Sequence, residues 1–430
     1  MTEKKMLSLC LKLLKQNGAE QAQCVLTKTM KNQMKAQAGQ LSLLRSVADT
    51  ELRLLAIKDG RQGQVSINTT GKRDVEAAVI RVIEAAKASP QDKAYGISEF
   101  QPTQVFLRGD TKADLRGMCR RLSEFLQDSR KYKGLRFFEA ALGFTLEEKT
   151  FLNSNGVNLS SSIGTYDFVV EFSTGVRARA SSINFSELWF KDLSRPLMEC
   201  GSTALLFKQS GKSVLTTPVK DKFSGEILVS PECLGSFLGF LTGDALRDAK
   251  IIAGTSPYMN KIGSMVASAG FTLGSMPGAP EMAAGYFITG DGYKAENVPL
   301  VEAGRLKTFI LSRYGAKKTG LRRTPNSGGC YIVGPGLEKL GSMVKAIKRG
   351  LLVTRFSGGA PNQKGDFSGV AKNSFYIENG KIKFPVSETM ISGNIPAMFL
   401  GIKSISKERV NLGNAVYPWI SFSGVSVSGK

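Results

Sequence analysis

Forty-six glycines are scattered through the 430 residues, and this spacing, which has no repeating period, constrains the fold more than any single motif does. It rules out a collagen-like register and a flexible linker, and it exceeds the usual share of about 7%. The chain must therefore fold as many elements joined by tight turns. With 42% apolar and 22% charged residues it can bury a real core. At roughly 150 residues per domain, this length makes two or three domains.

The first turn signals divide the N-terminal half cleanly. Met6, Leu7, Cys10, Leu11 and Leu14 fall on one side of a helix, with Lys4, Lys5, Lys12 and Lys15 elsewhere on its surface, and Asn17-Gly18 ends it. Strand character follows in Gln23 to Met34 and in Glu51 to Ile57, where Asp59-Gly60 marks a hairpin into Gln64 to Asn68. Val75, Val79, Val82, Ile83 and Ala86 recur at helical spacing before Pro90. A helix is predicted around Leu115 to Leu126, then strands over Leu135 to Thr150 and Val169 to Ala180, with a turn at Asn155-Gly156. The order lacks βαβ regularity, so the predicted class is α+β.

Pro218, Lys220-Asp221-Lys222 and Ser224-Gly225 read as a domain join. The expected domains are a mixed helix and strand domain over 1–217 and a mainly antiparallel β domain over 218–430. One helix is predicted across Cys233 to Lys250 in the second. The clearest hairpin lies at Asn379-Gly380, between Phe375/Ile377 and Ile382/Phe384. The longest strongly apolar stretch, Leu234 to Leu241, falls far short of the ~20 residues of a membrane span. The lysine-bearing first helix is unlike a signal peptide. The expectation is a soluble, cytoplasmic protein with no membrane contact.

There is no histidine in the sequence. Ser-His-Asp and Cys-His hydrolysis, and any zinc site with an imidazole ligand, are excluded for this chain alone. Cys10, Cys24, Cys119, Cys200, Cys233 and Cys330 stand far apart without a CxxC pair, which predicts free thiols. The net charge of +22 favours an acidic partner or a polyanion. No nucleic-acid-binding motif accompanies it and the basic residues are dispersed, so nucleic acid is not the expected partner.

Local motifs mostly fail on spacing. Gln209-Ser210-Gly211-Lys212-Ser213 resembles the end of a phosphate-binding loop, but Leu206 stands where the first glycine is needed. Gly334-Pro335-Gly336 lacks the third glycine of a dinucleotide fingerprint. Ser342 with Lys345, Ser404 with Lys407, and Lys318-Thr319-Gly320 supply pieces of a serine–lysine nucleophile in reversed order, without a Ser-Asp-Asn set. The acidic residues show no converging cluster for magnesium or calcium. Asp291, Glu296 and Asp366 read as turn or surface residues.

A longer chain of phrases does carry information. Leu300-Val301-Glu302-Ala303-Gly304-Arg305-Leu306 is followed by Pro325-Asn326, Gly350-Leu351-Leu352-Val353-Thr354 and Gly365-Asp366-Phe367-Ser368-Gly369. Ile377-Glu378-Asn379-Gly380 and Ile391-Ser392-Gly393-Asn394-Ile395 close the series, and Asn153-Ser154-Asn155-Gly156 fits in the first half. In this order the chain resembles the TldD/PmbA family, in which PmbA is also called TldE.

The resemblance implies two kinds of subunit that pair, acting in cytoplasmic peptide processing. The TldD kind carries an HExxxH helix and a later cysteine that hold a catalytic metal, read as zinc; the PmbA kind lacks them. With Ser230-Pro231 as anchor, the three motif positions fall on Gly239, Phe240 and Asp244, and no cysteine follows Cys330. The implied reading is a PmbA-type subunit with no catalytic or metal residue and no cofactor of its own, paired with a TldD-like HExxxH subunit. Its substrates would be unfolded or short peptides. A stand-alone homodimer binding peptide or nucleic acid, in the manner of a DNA gyrase modulator, is the alternative. Asn362, Gly393 and Asn394 are the expected cavity positions, on glycine-rich loops. Gly235, Gly239 and Gly243 predict close packing of their helix against a neighbour.

Overall fold

The computed structural model describes residues 3–37, 39–176, 179–387 and 389–429. In the first half α1 (Glu3–Gln16) precedes β1 (Gln21–Gln37), β2 (Gln40–Lys58) and β3 (Arg61–Ile67). Then come α2 (Lys72–Ala88), β4 (Gln104–Arg108), α3 (Leu115–Ser129), β5 (Leu135–Asn153), β6 (Asn158–Val176), β7 (Arg179–Ala180), β8 (Asn184–Phe190) and α4 (Thr203–Lys212). The strands join in the order β3-β2-β1-β5-β6-β4, with β7 and β8 also on β6. Among the described residues of this sheet, only β4 and β6 run parallel.

The period of two along a strand separates the two faces of this sheet. Even-numbered residues of the central strands, among them Cys24, Leu26, Leu142, Phe144, Phe168 and Phe172, bury against α1 to α4. Odd-numbered residues such as Gln23, Thr27, Glu147 and Phe151 turn the other way, towards the second half of the chain. Asp59 and Gly60 both have positive φ, 52° and 67°, as a hairpin turn that matches strand twist requires.

The second half holds β9 (Thr217–Pro218), β10 (Phe223–Val229), α5 (Pro231–Gly239), α6 (Asp248–Ile252), β11 (Leu273–Ser275), β12 (Val298–Glu302) and β13 (Arg305–Leu306). It continues with α7 (Arg313–Thr319), β14 (Tyr331–Val333), α8 (Leu340–Ala346), β15 (Arg349–Val353), β16 (Arg355–Gly358), β17 (Asp366–Lys372) and β18 (Phe375–Glu378). β19 (Lys381–Ser387), β20 (Thr389–Asn394), α9 (Ile395–Leu400), β21 (Ile402–Asn411) and β22 (Ala415–Ser428) complete it. β22 is the hub, pairing with β10, β14, β20 and β21. Most pairs are antiparallel, but β10–β15, β14–β22 and β9–β19 are parallel. The fold is α+β.

The predicted single helix over Cys233 to Lys250 is instead three pieces. After α5 the chain makes a π-helical turn over Phe240–Ala245 and restarts as α6. Gly239 and Gly243 weaken the α-helical ladder there, and Arg247 bonds back to the carbonyl of Thr242 at 2.8 Å. The phosphate-loop look-alike at Gln209 to Ser213 lies in and just after α4, so its amides are committed to a helix. All six cysteines are free. Among the described residues no helix is long and apolar enough to cross a membrane.

Candidate functional site

Ser230-Pro231 opens α5, with proline in the first turn, where no N–H partner is needed. Leu234, Phe237 and Leu238 bury in the main core of the second half with Ile227, Val229 and Phe422. The opposite side of the helix is bare. Gly239 is exposed, and nothing lies within 4 Å of where a Cβ would stand on it or on Gly243. Gly235 only touches the Tyr417 ring, at 4.0 Å. The predicted tight approach of a neighbour to these glycines is therefore not made within this chain. They leave an open strip.

At the three motif positions the chemistry is equally plain. Gly239 offers no side chain. Phe240 is 5% exposed, and its ring stands 3.1 Å from where a Cβ on Gly365 would be. Asp244 is an exposed carboxylate 3.7 Å from Lys250. One surface acid beside an apolar ring does not fit the metal that the resemblance implies. Among the described residues no three Cys, Asp or Glu side chains converge as a metal set would. Cys330 is buried, its thiol donating to the Ala284 carbonyl at 3.5 Å. Burial pushes that thiol up to about 11 against the opposing charge of Arg108.

Asn362, Gly393 and Asn394 come together, but around a turn. The side-chain amides of Asn362 and Asn394 donate to the two oxygens of Asp366 at 2.9 and 2.8 Å. These bonds, Asn394 first, hold that carboxyl below its ordinary range. The Asn394 oxygen also caps α9 by accepting from Ala397 N–H at 3.0 Å. The three line neither of the two cavities described here. Their turn instead places Gly365 against Phe240. Of the serine–lysine pieces, Ser342 and Lys345 are exposed on α8, while Ser404 and Lys407 lie on β21.

A wide recess between the two halves was not foreseen. A cleft of about 800 Å³ separates the odd-numbered face of the first sheet from loops of the second half. One wall carries Gln23, Thr27, Glu51, Arg53, Glu147 and Lys149; the other carries Arg247, Asp248, Asp291, Ser312 and Arg313. Glu51 pairs with Arg53 at 2.9 Å and Glu147 with Lys149 at 3.2 Å. Asp291 lies in a turn, one of the two expected settings, but is half-buried. Arg323 Nε and Nη2 each reach it at 2.9 Å, and the Arg313 backbone N–H donates at 2.8 Å. Burial alone would raise this carboxyl, yet Arg323, with Thr289 and the Arg313 amide, pulls it below the ordinary range.

The segment after α2 ties the cleft's two walls. Asp92 accepts from Tyr314 at 2.8 Å and from Lys318 at 2.9 Å. The Ala94 amide, then Lys318 and Tyr314, hold its carboxyl down at about 2. Gln101 donates to the Gly292 carbonyl and accepts from Lys294 N–H. Arg313 Nη1 is sealed from solvent and has no hydrogen-bond partner among the described residues. The cleft offers donors and acceptors of both signs, which suits a polar extended chain. The period-two pattern of Gln23, Val25 and Thr27 was the available signal. What they face could not be read, because it comes from loops about 220 to 300 residues away in sequence.

Residues 224–429 match the family model described as the PmbA/TldA metallopeptidase C-terminal domain. The second half of the chain is thus a TldD/PmbA family domain. A PmbA metalloprotease homologue from Buchnera aphidicola is 27% identical over 274 residues, covering 60% of this chain and 56% of that protein. The PmbA metalloprotease of Escherichia coli O157:H7 is 27% identical over 207 residues, covering 46% and 45%. The chain thus spans about half the length of the curated TldD/PmbA relatives it matches. Among solved structures, TldE from Thermococcus kodakarensis superposes with a TM-score of 0.85 at 19% identity, over 99% of this chain and 100% of that one. A candidate DNA gyrase modulator from Bacteroides thetaiotaomicron gives 0.88 at 19% identity, over all of both chains. At that identity they share the fold.

Proposed function

We propose that this chain is the non-catalytic, PmbA/TldE-type subunit of a peptide-processing assembly in the cytoplasm. In this reading a TldD-like partner with an HExxxH helix supplies the metal, zinc by its ligand type, and performs the cleavage. The observation that carries the proposal is the helix pair around Gly239, Phe240 and Asp244. It offers a single surface carboxylate, a phenylalanine where the general base would stand, and an open glycine strip in place of a metal helix. The chain's own work is to handle peptides, and the mixed-charge cleft suits the polar backbone of a short or unfolded one.

A docking edge supports the pairing. β3 pairs with β2 only from Leu52 onwards, so residues 40–51 of β2 form an open edge. Leu41, Leu43, Leu44 and Val47 on that stretch are all at least 41% exposed. A long apolar edge invites another chain. Native mass spectrometry of the tagged protein from its own cells tests the proposal. A one-to-one complex with an HExxxH-bearing chain is expected, with peptide cleavage confined to that complex. A bare homodimer at native expression overturns it. That outcome would favour a stand-alone binding protein for peptide or nucleic acid, for which the charge of +22 predicts DNA binding that falls steeply with salt.

A further inference from the structure

A second cavity, of about 190 Å³, lies at the other end of α5 from the degenerate metal positions. It opens between β8 and the start of α5, with β16 as its floor. Its lining includes Glu232 and Ser236 from α5, Asn184 and Trp189 from β8, and Arg355 and Phe356 from β16. Nothing in the proposed subunit role uses it.

Two groups of opposite charge, Glu232 and Arg355, line this cavity. Glu232 Oε1 is sealed from solvent and accepts no hydrogen bond, and the neighbouring Ser230 hydroxyl is likewise unpaired. Ser202, the Glu232 backbone amide and Ser230 stand near the carboxyl and offset part of the effect of burial. Burial raises this carboxyl above its usual range. Arg355 makes no hydrogen bond or ion pair through its guanidinium among the described residues; the guanidinium carbon lies over the Phe185 ring, 5.2 Å from its centre. Glu171 attracts it from a distance, and burial disfavours its charge. A buried polar group left unpaired in a native fold calls for a partner outside the protein. Here Glu232 is such a group, and the half-buried Arg355 supplies the opposite charge across the same cavity.

The cavity's size and walls narrow that partner. It is smaller than the ~300–1,000 Å³ that holds a drug-sized ligand, so a peptide of several residues does not fit inside. A metal ion would need converging oxygens, and none converge among the described residues. A simple anion would meet Glu232 and Glu187, which both line the space. Trp189, Leu206, Phe356 and Leu412 make an apolar part of the wall, beside the uncharged polar Asn184, Ser186, Thr354 and Asn414. We infer that this cavity binds a free α-amino acid with an apolar side chain, its ammonium at Glu232 and its carboxylate at Arg355. Such a ligand is what complete hydrolysis of a peptide releases, yet the site belongs to this chain alone and needs no partner subunit.

Calorimetric titration and saturation-transfer NMR on the purified full-length chain test it. The probes are L-alanine, L-valine and L-leucine, beside N-acetyl-L-leucine, L-leucinamide and leucyl-glycyl-glycine. One of the three amino acids is expected to bind one-to-one with a Kd below about 1 mM. Blocking either end, or lengthening the chain, should weaken binding by about ten-fold or more, as loss of a charged hydrogen bond does. Glu232→Gln and Arg355→Met should each do the same. Ser236→Phe places a ring at the cavity from an exposed position, so it should abolish binding while circular dichroism stays native. Failure of all three amino acids to saturate the folded wild-type chain overturns the inference. Equal binding of L-leucinamide or leucyl-glycyl-glycine overturns it too. Because the assay holds no second subunit, either result leaves the proposed assembly standing or falling on its own test.

Discussion

Asp291 closes the turn from Thr289 to Tyr293 and at the same time neutralises Arg323, whose guanidinium also stacks 3.6 Å from the centre of the Tyr293 ring. Its carboxyl lies below the ordinary range in the folded chain and near ~3.9 once unfolded. The stabilisation is therefore fully present above about pH 4 and lost as pH falls through the folded value. Asp291→Asn should cost about 2–3 kcal/mol at pH 7, somewhat less than breaking a fully buried pair. In urea titrations the gap between variant and wild type should narrow progressively as pH falls below about 4. A gap that stays constant would mean the charge is not what matters. The next residue tests sterics instead. Gly292 has φ of 84°, and a Cβ there would sit 2.0 Å from the Phe151 ring. Gly292→Ala should destabilise by more than about 2 kcal/mol through strain and overlap together, with no dependence on pH in the same titrations.

At the scale of elements, the open strip of α5 makes an opposite prediction. Gly239 has helical angles, φ −56° and ψ −33°, and free space around it. Gly239→Ala should raise the melting temperature of the isolated chain, by about 0.5–1 kcal/mol of stability. If a partner helix packs on the strip, the same change should lower recovery of the complex. On β2, Leu44→Lys and Val47→Lys should alter stability by no more than about 0.5 kcal/mol while reducing the one-to-one species in native mass spectra. Recovery equal to wild type would remove this edge from the interface. These elements also show what the sequence made legible. α1 and α2 were readable because Met6, Leu7, Cys10 and Leu14, or Val75, Val79 and Val82, bury at helical spacing. β2 was read only from Glu51, because its first eleven residues bury neither face and so show no alternation. α5 was overextended because the apolar run continues through a π-helical turn that keeps burying Phe240 and Leu241. The resemblance points to Gly239, Phe240 and Asp244 from the sequence alone. The cleft and the amino-acid cavity could not be located from sequence, because each is walled by residues far apart along the chain.

Across the whole molecule, one turn joins the two halves more tightly than its length suggests. Between β21 and β22, Leu412 packs against three separate hydrophobic clusters, one of them in the first half. Its carbonyl accepts from Trp189 N–H at 2.9 Å. Gly413, at φ 84°, lies so close that a Cβ would stand 2.0 Å from the Trp189 carbonyl. Elsewhere the halves meet through the Phe106–Phe287 stack, with centroids 5.0 Å apart, and through Arg108 on the Pro277 carbonyl at 3.1 Å. Interfaces within one chain are often small enough to let domains move or melt separately. Here the sequence supplies its own reporters, because its two tryptophans, Trp189 and Trp419, sit on β8 and β22. Trp189→Phe and Trp419→Phe leave one tryptophan each, and their fluorescence melts should coincide if the halves unfold as one unit. Gly413→Ala drives the turn out of Trp189, and in that background the two midpoints should separate by about 4 °C or more. Coincident melts in the Gly413→Ala background would mean that the Phe106 stack and Arg108 suffice to couple the halves. Separate melts already in the single-tryptophan chains would mean that the halves are not coupled at all, and the cleft between them would then be free to widen around a peptide.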